Sequence, residues 1–310
     1  MSMRLALLCP GQGGQHAGMF DLARADARGA AFLDGCGLAP LLAAPVEEVL
    51  SQPRHLYANR NAQPLIVAAQ LAAWDALREE LGAPAVVAGY SVGELSACAI
   101  AGVFAAREMP AMAAHRARFM DEAAAAAPDQ GLMSVGGLAV EAARACLQRH
   151  GAFVAIETGD DTLIAGGAGP ALGGAATELA ALGARVGELP VGLASHTPLM
   201  QAAIAPFLRT LSQAGAETPS CTLLAGVSGQ AVADGAQAAT LLARQLGQTI
   251  QWSACMDACA ERGVTLALEL GPGNALSRML RERHPQIECR SLADFRSLAG
   301  ALSWLRRHAG

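Results

Sequence analysis

The chain has 310 residues, 53% hydrophobic and 16% charged, with a formal net charge of −5. This is enough apolar material for one large domain or two modest ones, and the acidic balance argues against a general nucleic-acid binder. All 22 basic residues are arginine, which excludes a Walker-type phosphate-loop lysine and a lysine Schiff base for pyridoxal phosphate.

No apolar run approaches the roughly 18 residues of a membrane helix, so no membrane partner is expected. The stretch Met1 to Cys9 has one arginine and a short apolar run, too little for a signal peptide. Eight cysteines without an export signal point to reduced thiols in a cytoplasm. Cys255 and Cys259 are four apart, which is helical spacing and not a C-x-x-C metal site. Neither a metal nor a cofactor is expected. Charge is uneven: from Arg278 onward seven arginines face Glu282, Glu288 and Asp294. That segment reads as a solvated helix face or as a docking patch for an acidic or phosphorylated partner.

"RLALLC" (Arg4 to Cys9) reads as a strand that ends in the Gly-rich "PGQGGQ". "PLIVAAQLAAWDALREEL" (Pro64 to Leu81) reads as a long helix with proline in its first turn. "AVVAG" is a strand, "ELSACAIAGV" a buried helix, and "REMPAMAAHRARFMDEAAAAA" a further helix. Alternating strands and helices predict an α/β sheet covered on both faces. From about Gln130 to Val191 the order becomes strand–helix–strand–strand–helix–strand, a split βαβ, ferredoxin-like pattern. The α/β pattern then resumes with "TLLAGVSG", a helix around Ala239 to Leu246, "TLALELG" and a last helix ending near His308. The predicted division is 1–128 with 197–310 as one part and 129–196 as an inserted one.

Between "AVVAG" and its following helix lies Gly89-x-Ser91-x-Gly93. In a strand–turn–helix context this pattern exposes a serine hydroxyl and a free backbone N–H. The serine needs a base. His16, His55, His150, His284 and His308 sit beside loops or charged helix faces, and His115 lies in a helix. His196, in "LPVGLASHTPLM", falls just after a strand and before a Pro-led helix, but spacing alone does not decide among the seven.

Six stretches together resemble the malonyl-CoA:acyl-carrier-protein transacylase family: "CPGQGGQ", "GYSVGE", "RARFM", "ASHTPLM", "QTIQW" and "LELGPGNAL". They stand in the family's order and cover essentially the whole chain. The resemblance implies an α/β-hydrolase-like catalytic part with a mostly parallel sheet and an inserted ferredoxin-like subdomain. It implies Ser91 as nucleophile and His196 as base, with the histidine oriented by a main-chain carbonyl near Gln251. It implies an oxyanion hole from the N–H groups of Val92 and Gln12, and Arg116 as the partner of a malonyl carboxylate. Malonyl-CoA and an acyl carrier protein are the implied partners. A bidentate guanidinium would select a diacid. Arg118, two residues on, is the competing arginine, and Glu94 reads as a capping residue of the elbow helix.

The chain departs from the family at Tyr90 (usually histidine), Gly14 (usually serine) and Cys9 (commonly phenylalanine). These departures leave room for a relative, the transacylase (epsilon) subunit of malonate decarboxylase. Other readings are a serine hydrolase using Ser91, Asp257 and His284, a nucleotide site at Gly167-x-Gly169-x-x-x-Gly173 with Glu188, and a non-catalytic docking module.

Overall fold

The computed structural model describes residues 4–308; positions 1–3 and 309–310 of the expected catalytic part lie outside them. Five strands form one parallel sheet: β1 (Leu5–Cys9), β2 (Val86–Gly89) and, further along the chain, Thr222–Leu224, Leu266–Glu269 and Glu288–Ser291. Between them in sequence come β3 (Gln130–Gly136), β4 (Phe153–Glu157), β5 (Thr162–Ala168) and β6 (Arg185–Leu189). The later strands are thus β7 (Thr222–Leu224), β8 (Ile250–Gln251), β9 (Leu266–Glu269) and β10 (Glu288–Ser291).

The parallel sheet runs β10-β9-β1-β2-β7, with Ala6 in register with Val86 on one side and Ala267 on the other. Every residue of β1, β2 and β9 is buried, as a parallel sheet covered on both faces requires. Leu5, Leu7 and Cys9 face a cluster built on the helix Asn59–Leu81, while Ala6 and Leu8 face a second cluster around Trp252 and Cys255. The chain leaves β1 toward β2 and returns to the far side for β9. Loops at the carboxyl ends of these strands therefore border the switch point, where open α/β sheets take their ligands.

The second sheet has the order β6-β3-β5-β4-β8. Pairs β3–β5, β3–β6 and β4–β5 are antiparallel, and β8, from outside the stretch 129–196, joins β4 in parallel. The helices Val140–His150 and Gly169–Ala181 pack on one face through Ala143, Leu147, Ala175 and Leu179. The other face offers Leu132, Ala155 and Ile156 to the Trp252 cluster, which joins the two sheets.

One helix differs from expectation. The long helix starts at Asn59, and Pro64 lies inside it. Asn59 and Gln63 are tied to each other (2.7 Å) and to the helix Met109–Ala125.

Candidate active site

The G-x-S-x-G turn is forced by contact. A Cβ on Gly89 would sit 2.3 Å from the backbone of Glu94, and one on Gly93 would sit 2.0 Å from the Cys9 carbonyl. Ser91 lies between them at φ 55°, in the left-handed region that L-residues avoid. The Pro10–Gln15 loop closes over this turn: a Cβ on Gly11 would be 2.9 Å from the Tyr90 carbonyl and 3.5 Å from Ser91 Cβ. Tyr90 packs edge-on against Trp252 with centroids 5.4 Å apart, so its ring fills space between the main sheet and the Trp252 helix.

Ser91 Oγ meets His196 Nε2 at 2.8 Å. His196 Nδ1 lies 2.6 Å from the main-chain carbonyl of Gln245. A carbonyl only accepts, so Nδ1 carries the proton and Nε2 presents its lone pair to the serine hydroxyl. His196 is buried at φ 62°, and its own N–H donates to the Leu246 carbonyl at 2.8 Å. Burial first, and then the Arg116 charge, lower its pKa to about 3, so the imidazole is neutral at ordinary pH. The orienting carbonyl thus belongs to Gln245, not to the expected Gln251 position. Gln251 lies in β8, where its amide donates to Glu157 at 3.2 Å and its N–H to the Gly226 carbonyl at 2.7 Å. Strand pairing holds it in the second sheet, away from the histidine ring.

Arg116 is wholly buried at the floor of the site. Its Nη1 donates to Gln63 Oε1 and its Nη2 to Gln245 Oε1, both at 2.8 Å, and Nη2 also lies 3.3 Å from Ser91 Oγ. Nε is buried without a partner. The guanidinium is held by two amide oxygens, with no carboxylate in ion-pair contact among the described residues. Burial lowers its pKa to about 9, against the raising effect of Glu94. Arg118 points outward to Glu122 at 3.1 Å and lies over the Phe119 ring.

Among the described residues neither the Gln12 nor the Val92 N–H donates to a protein acceptor. Val92 follows the serine at the N-cap of the helix Gly93–Ile100, and Gln12 lies in the loop whose Gly11 abuts Ser91. Glu94 does not cap that helix. It reaches Gln245 and the Gly226 N–H (3.2 Å), and burial raises its pKa to about 7. Glu269, by contrast, does meet a helix N-terminus, accepting from Leu276 and Ser277 N–H at 3.3 and 2.7 Å.

The competing constellations come apart. Asp257 and His284 do meet, at 2.8 Å, but in an ion cluster with Arg283 and Asp160, while Ser91 bonds His196. The Gly167–Gly173 stretch spans the end of β5 and the start of the helix Gly169–Ala181, and β5 is antiparallel to both neighbours and cannot form a parallel βαβ nucleotide unit.

A family profile described as "Acyl transferase domain" matches residues 6–296. The malonyl CoA-acyl carrier protein transacylase of Mycobacterium tuberculosis is 33% identical, covering 95% of this chain and 99% of that protein. The chain belongs to the malonyl-CoA:acyl-carrier-protein transacylase family. It also matches polyketide synthase GfsB of Streptomyces halstedii, 32% identical over 90% of this chain and 5% of that much longer protein. The crystal structure of MCAT from Mycobacterium tuberculosis superposes with a TM-score of 0.88 at 30% identity, covering 97% of this chain and 99% of that one. MCAT from Helicobacter pylori gives 0.91 at 26% identity, over 99% and 100%. The chain is thus an acyltransferase of mixed α/β fold with a mostly parallel sheet. No helix among the described residues is long and apolar enough to cross a membrane.

Proposed function

We propose that this transacylase moves a malonyl group from malonyl-CoA to the phosphopantetheine-type thiol of an acyl carrier protein, in two half-reactions through Ser91. In the first, Ser91 Oγ attacks the thioester carbonyl while its proton passes to His196 Nε2. The oxyanion faces the N–H groups of Gln12 and Val92, each such donor contributing about 3 kcal/mol to the transition state. The carbon–sulfur bond breaks and the CoA sulfur takes the proton from His196. In the second, the carrier thiol gives its proton to His196, attacks the serine ester, and Ser91 leaves with that proton. Arg116 holds the free carboxylate of the malonyl group throughout. No cofactor takes part in this scheme.

The observation that carries this reading is the line from the Gln245 carbonyl through His196 to Ser91, with the Arg116 guanidinium 3.3 Å from the same hydroxyl. A nucleophile, a neutral base and a cation free of carboxylate contact thus share one point, the set of groups that a thioester with a distal carboxylate requires. The β6-β3-β5-β4 order supports a ferredoxin-like description of 129–196, inserted between 1–128 and 197–310, an α/β-hydrolase-like catalytic part. The pair of catalytic groups straddles the two, Ser91 on the elbow and His196 at the end of the insert.

Intact mass spectrometry after incubation with a panel of acyl-CoAs tests the reading. A malonyl adduct on Ser91, discharged by a carrier protein, is the expected result. Free malonate released at the same rate without any acceptor would assign a hydrolase instead. The same transfer serves fatty acid or polyketide synthesis, or malonate decarboxylation, and the panel of carriers separates them.

A further inference from the structure

Glu94 is a buried acid that the two half-reactions leave unused. It stands in the first turn of the helix Gly93–Ile100, only 3% exposed, and its carboxylate turns to two other segments. One oxygen accepts from the Gly226 N–H at 3.2 Å and the other from Nε2 of Gln245. A Cβ on Gly226 would come within 2.6 Å of that second oxygen, so the glycine makes room for it.

Gln245 is wholly buried and uses each polar group of its side chain. Its Oε1 accepts from Arg116 Nη2 at 2.8 Å, and its Nε2 donates to the Ser91 carbonyl at 3.1 Å as well as to Glu94. Its main-chain carbonyl takes the His196 Nδ1 proton. An amide has one accepting end and one donating end, an ionised carboxylate only accepts, and a guanidinium only donates. With Glu94 on one side and Arg116 on the other, the Gln245 amide has a single orientation.

We propose that Glu94 is a positioning residue of the transfer reaction, which through the Gln245 side chain fixes the carbonyl that orients His196 and presents Arg116 to the substrate. The inference rests on the assignment of Ser91, His196 and Arg116 above. Its second consequence is electrostatic. A carboxylate in direct contact with Arg116 would occupy the guanidinium; one amide away, Glu94 compensates the buried charge and leaves that face for the acyl carboxylate.

The test compares E94Q with the exchange variant E94Q/Q245E, both checked for a cooperative thermal transition. E94Q is isosteric but has one acceptor where Glu94 has two, so an NH2 faces either the Gly226 N–H or Gln245 Nε2 and one hydrogen bond of the relay is lost. Loss of one hydrogen bond to a charged group predicts a fall in kcat/KM of roughly 10- to 100-fold for malonyl-CoA, and a smaller fall for acetyl-CoA. In the exchange variant the new amide at position 94 again faces an acceptor and the new carboxylate at position 245 pairs with Arg116 directly, but the donor to the Ser91 carbonyl is lost. Malonyl transfer therefore falls at least about tenfold further than acetyl transfer relative to E94Q, since the guanidinium is filled. A role in folding alone would move both substrates together.

Wild-type rates for E94Q on both acyl-CoAs overturn the inference. So does an exchange variant in which malonyl and acetyl transfer change by the same factor, and that comparison decides the matter if E94Q does not fold. Failure of wild-type protein to take malonyl on Ser91 would instead refute the site assignment itself.

Discussion

Ser91 and His196 meet at 2.8 Å from two backbones that both stand in the left-handed region, at φ 55° and 62°. Each position disfavours a side chain by roughly 1 kcal/mol or more, so the surrounding packing must impose both. At Ser91 the pressure comes from Gly89 and Gly93, which let β1, β2 and the elbow helix approach within backbone contact. Replacing Ser91 separates strain from chemistry. S91A and S91G both abolish the acyl-enzyme, yet S91G is the more stable by about 1 kcal/mol, because glycine accepts positive φ. Urea denaturation of the two variants checks this, and equal midpoints would remove strain from the account of the elbow.

The Arg116 guanidinium is held at 2.8 Å by Gln63 on one side and Gln245 on the other. Gln63 is itself oriented by Asn59 at 2.7 Å, which is in turn bonded to Asp121 at 2.8 Å. R116A is expected to reduce kcat/KM for malonyl-CoA by roughly 100-fold, the value of a charge-assisted pair, while acetyl-CoA is used at least as well as before. R116K fares little better, since an ammonium cannot meet both glutamines and a carboxylate in one plane. Steady-state selectivity between the two acyl-CoAs is the measurement, and unchanged selectivity in R116A would take Arg116 out of its role.

Histidine and glutamate exchange their customary pH ranges in this site. Burial and the Arg116 charge bring His196 down to about 3, so it stays a neutral base across the physiological pH range. Burial brings Glu94 up to about 7, and only its ionised form accepts from both Gly226 and Gln245. Around it stand the Arg116 guanidinium and the thiols of Cys98 and Cys255, both thiols being pushed up by burial and by Glu94 itself. The kcat/KM profile should therefore rise with pH through about 7, and E94Q should abolish that limb. The stability effect has the opposite sign. A carboxyl whose folded pKa exceeds its unfolded value favours the fold at low pH, and that contribution is lost as pH rises from the unfolded value through about 7. Wild type should thus lose stability relative to E94Q as pH rises across that window. A limb that survives in E94Q would return it to the histidine.

The elbow was legible because its glycines are demanded by backbone contact, and such positions leave a mark in sequence. Arg116 could be told from Arg118 only through the family resemblance, and their opposite directions on the helix follow from two-residue spacing. His196 had no local mark beyond its place after a strand. Gln245 was missed. It orients His196 through a main-chain carbonyl, which any residue possesses, and its side-chain role left only the signal of a lone glutamine in the apolar run "LLARQLG". The resemblance pointed six residues later to Gln251, whose neighbouring tryptophan is the more visible feature. Pro64 misled for a related reason: a proline in the second turn of a helix looks the same in sequence as one in the first.

The family resemblance leads one to expect a serine at Gly14, and the structure gives a physical reason for the glycine. A Cβ there would lie 2.4 Å from the Pro272 carbonyl and 2.9 Å from Gly273 Cα. These belong to the turn after β9, in which Gly271 and Gly273 take φ of 70° and 85°. The loops after β1 and β9 are thus packed backbone to backbone, and the Gln12 N–H is carried on the first of them. G14S must push the two loops apart, at an overpacking cost of about 1–3 kcal/mol. The displacement moves the oxyanion donor proposed at Gln12, so kcat should fall with KM for malonyl-CoA little changed. Pairing G14S with a second variant that shortens the neighbouring turn side chain, P272A, does not relieve the clash, because the obstructing atom is the main-chain carbonyl. Stability and kcat at wild-type values in G14S would show that the β9 turn can give way, and would leave the glycine without a function here.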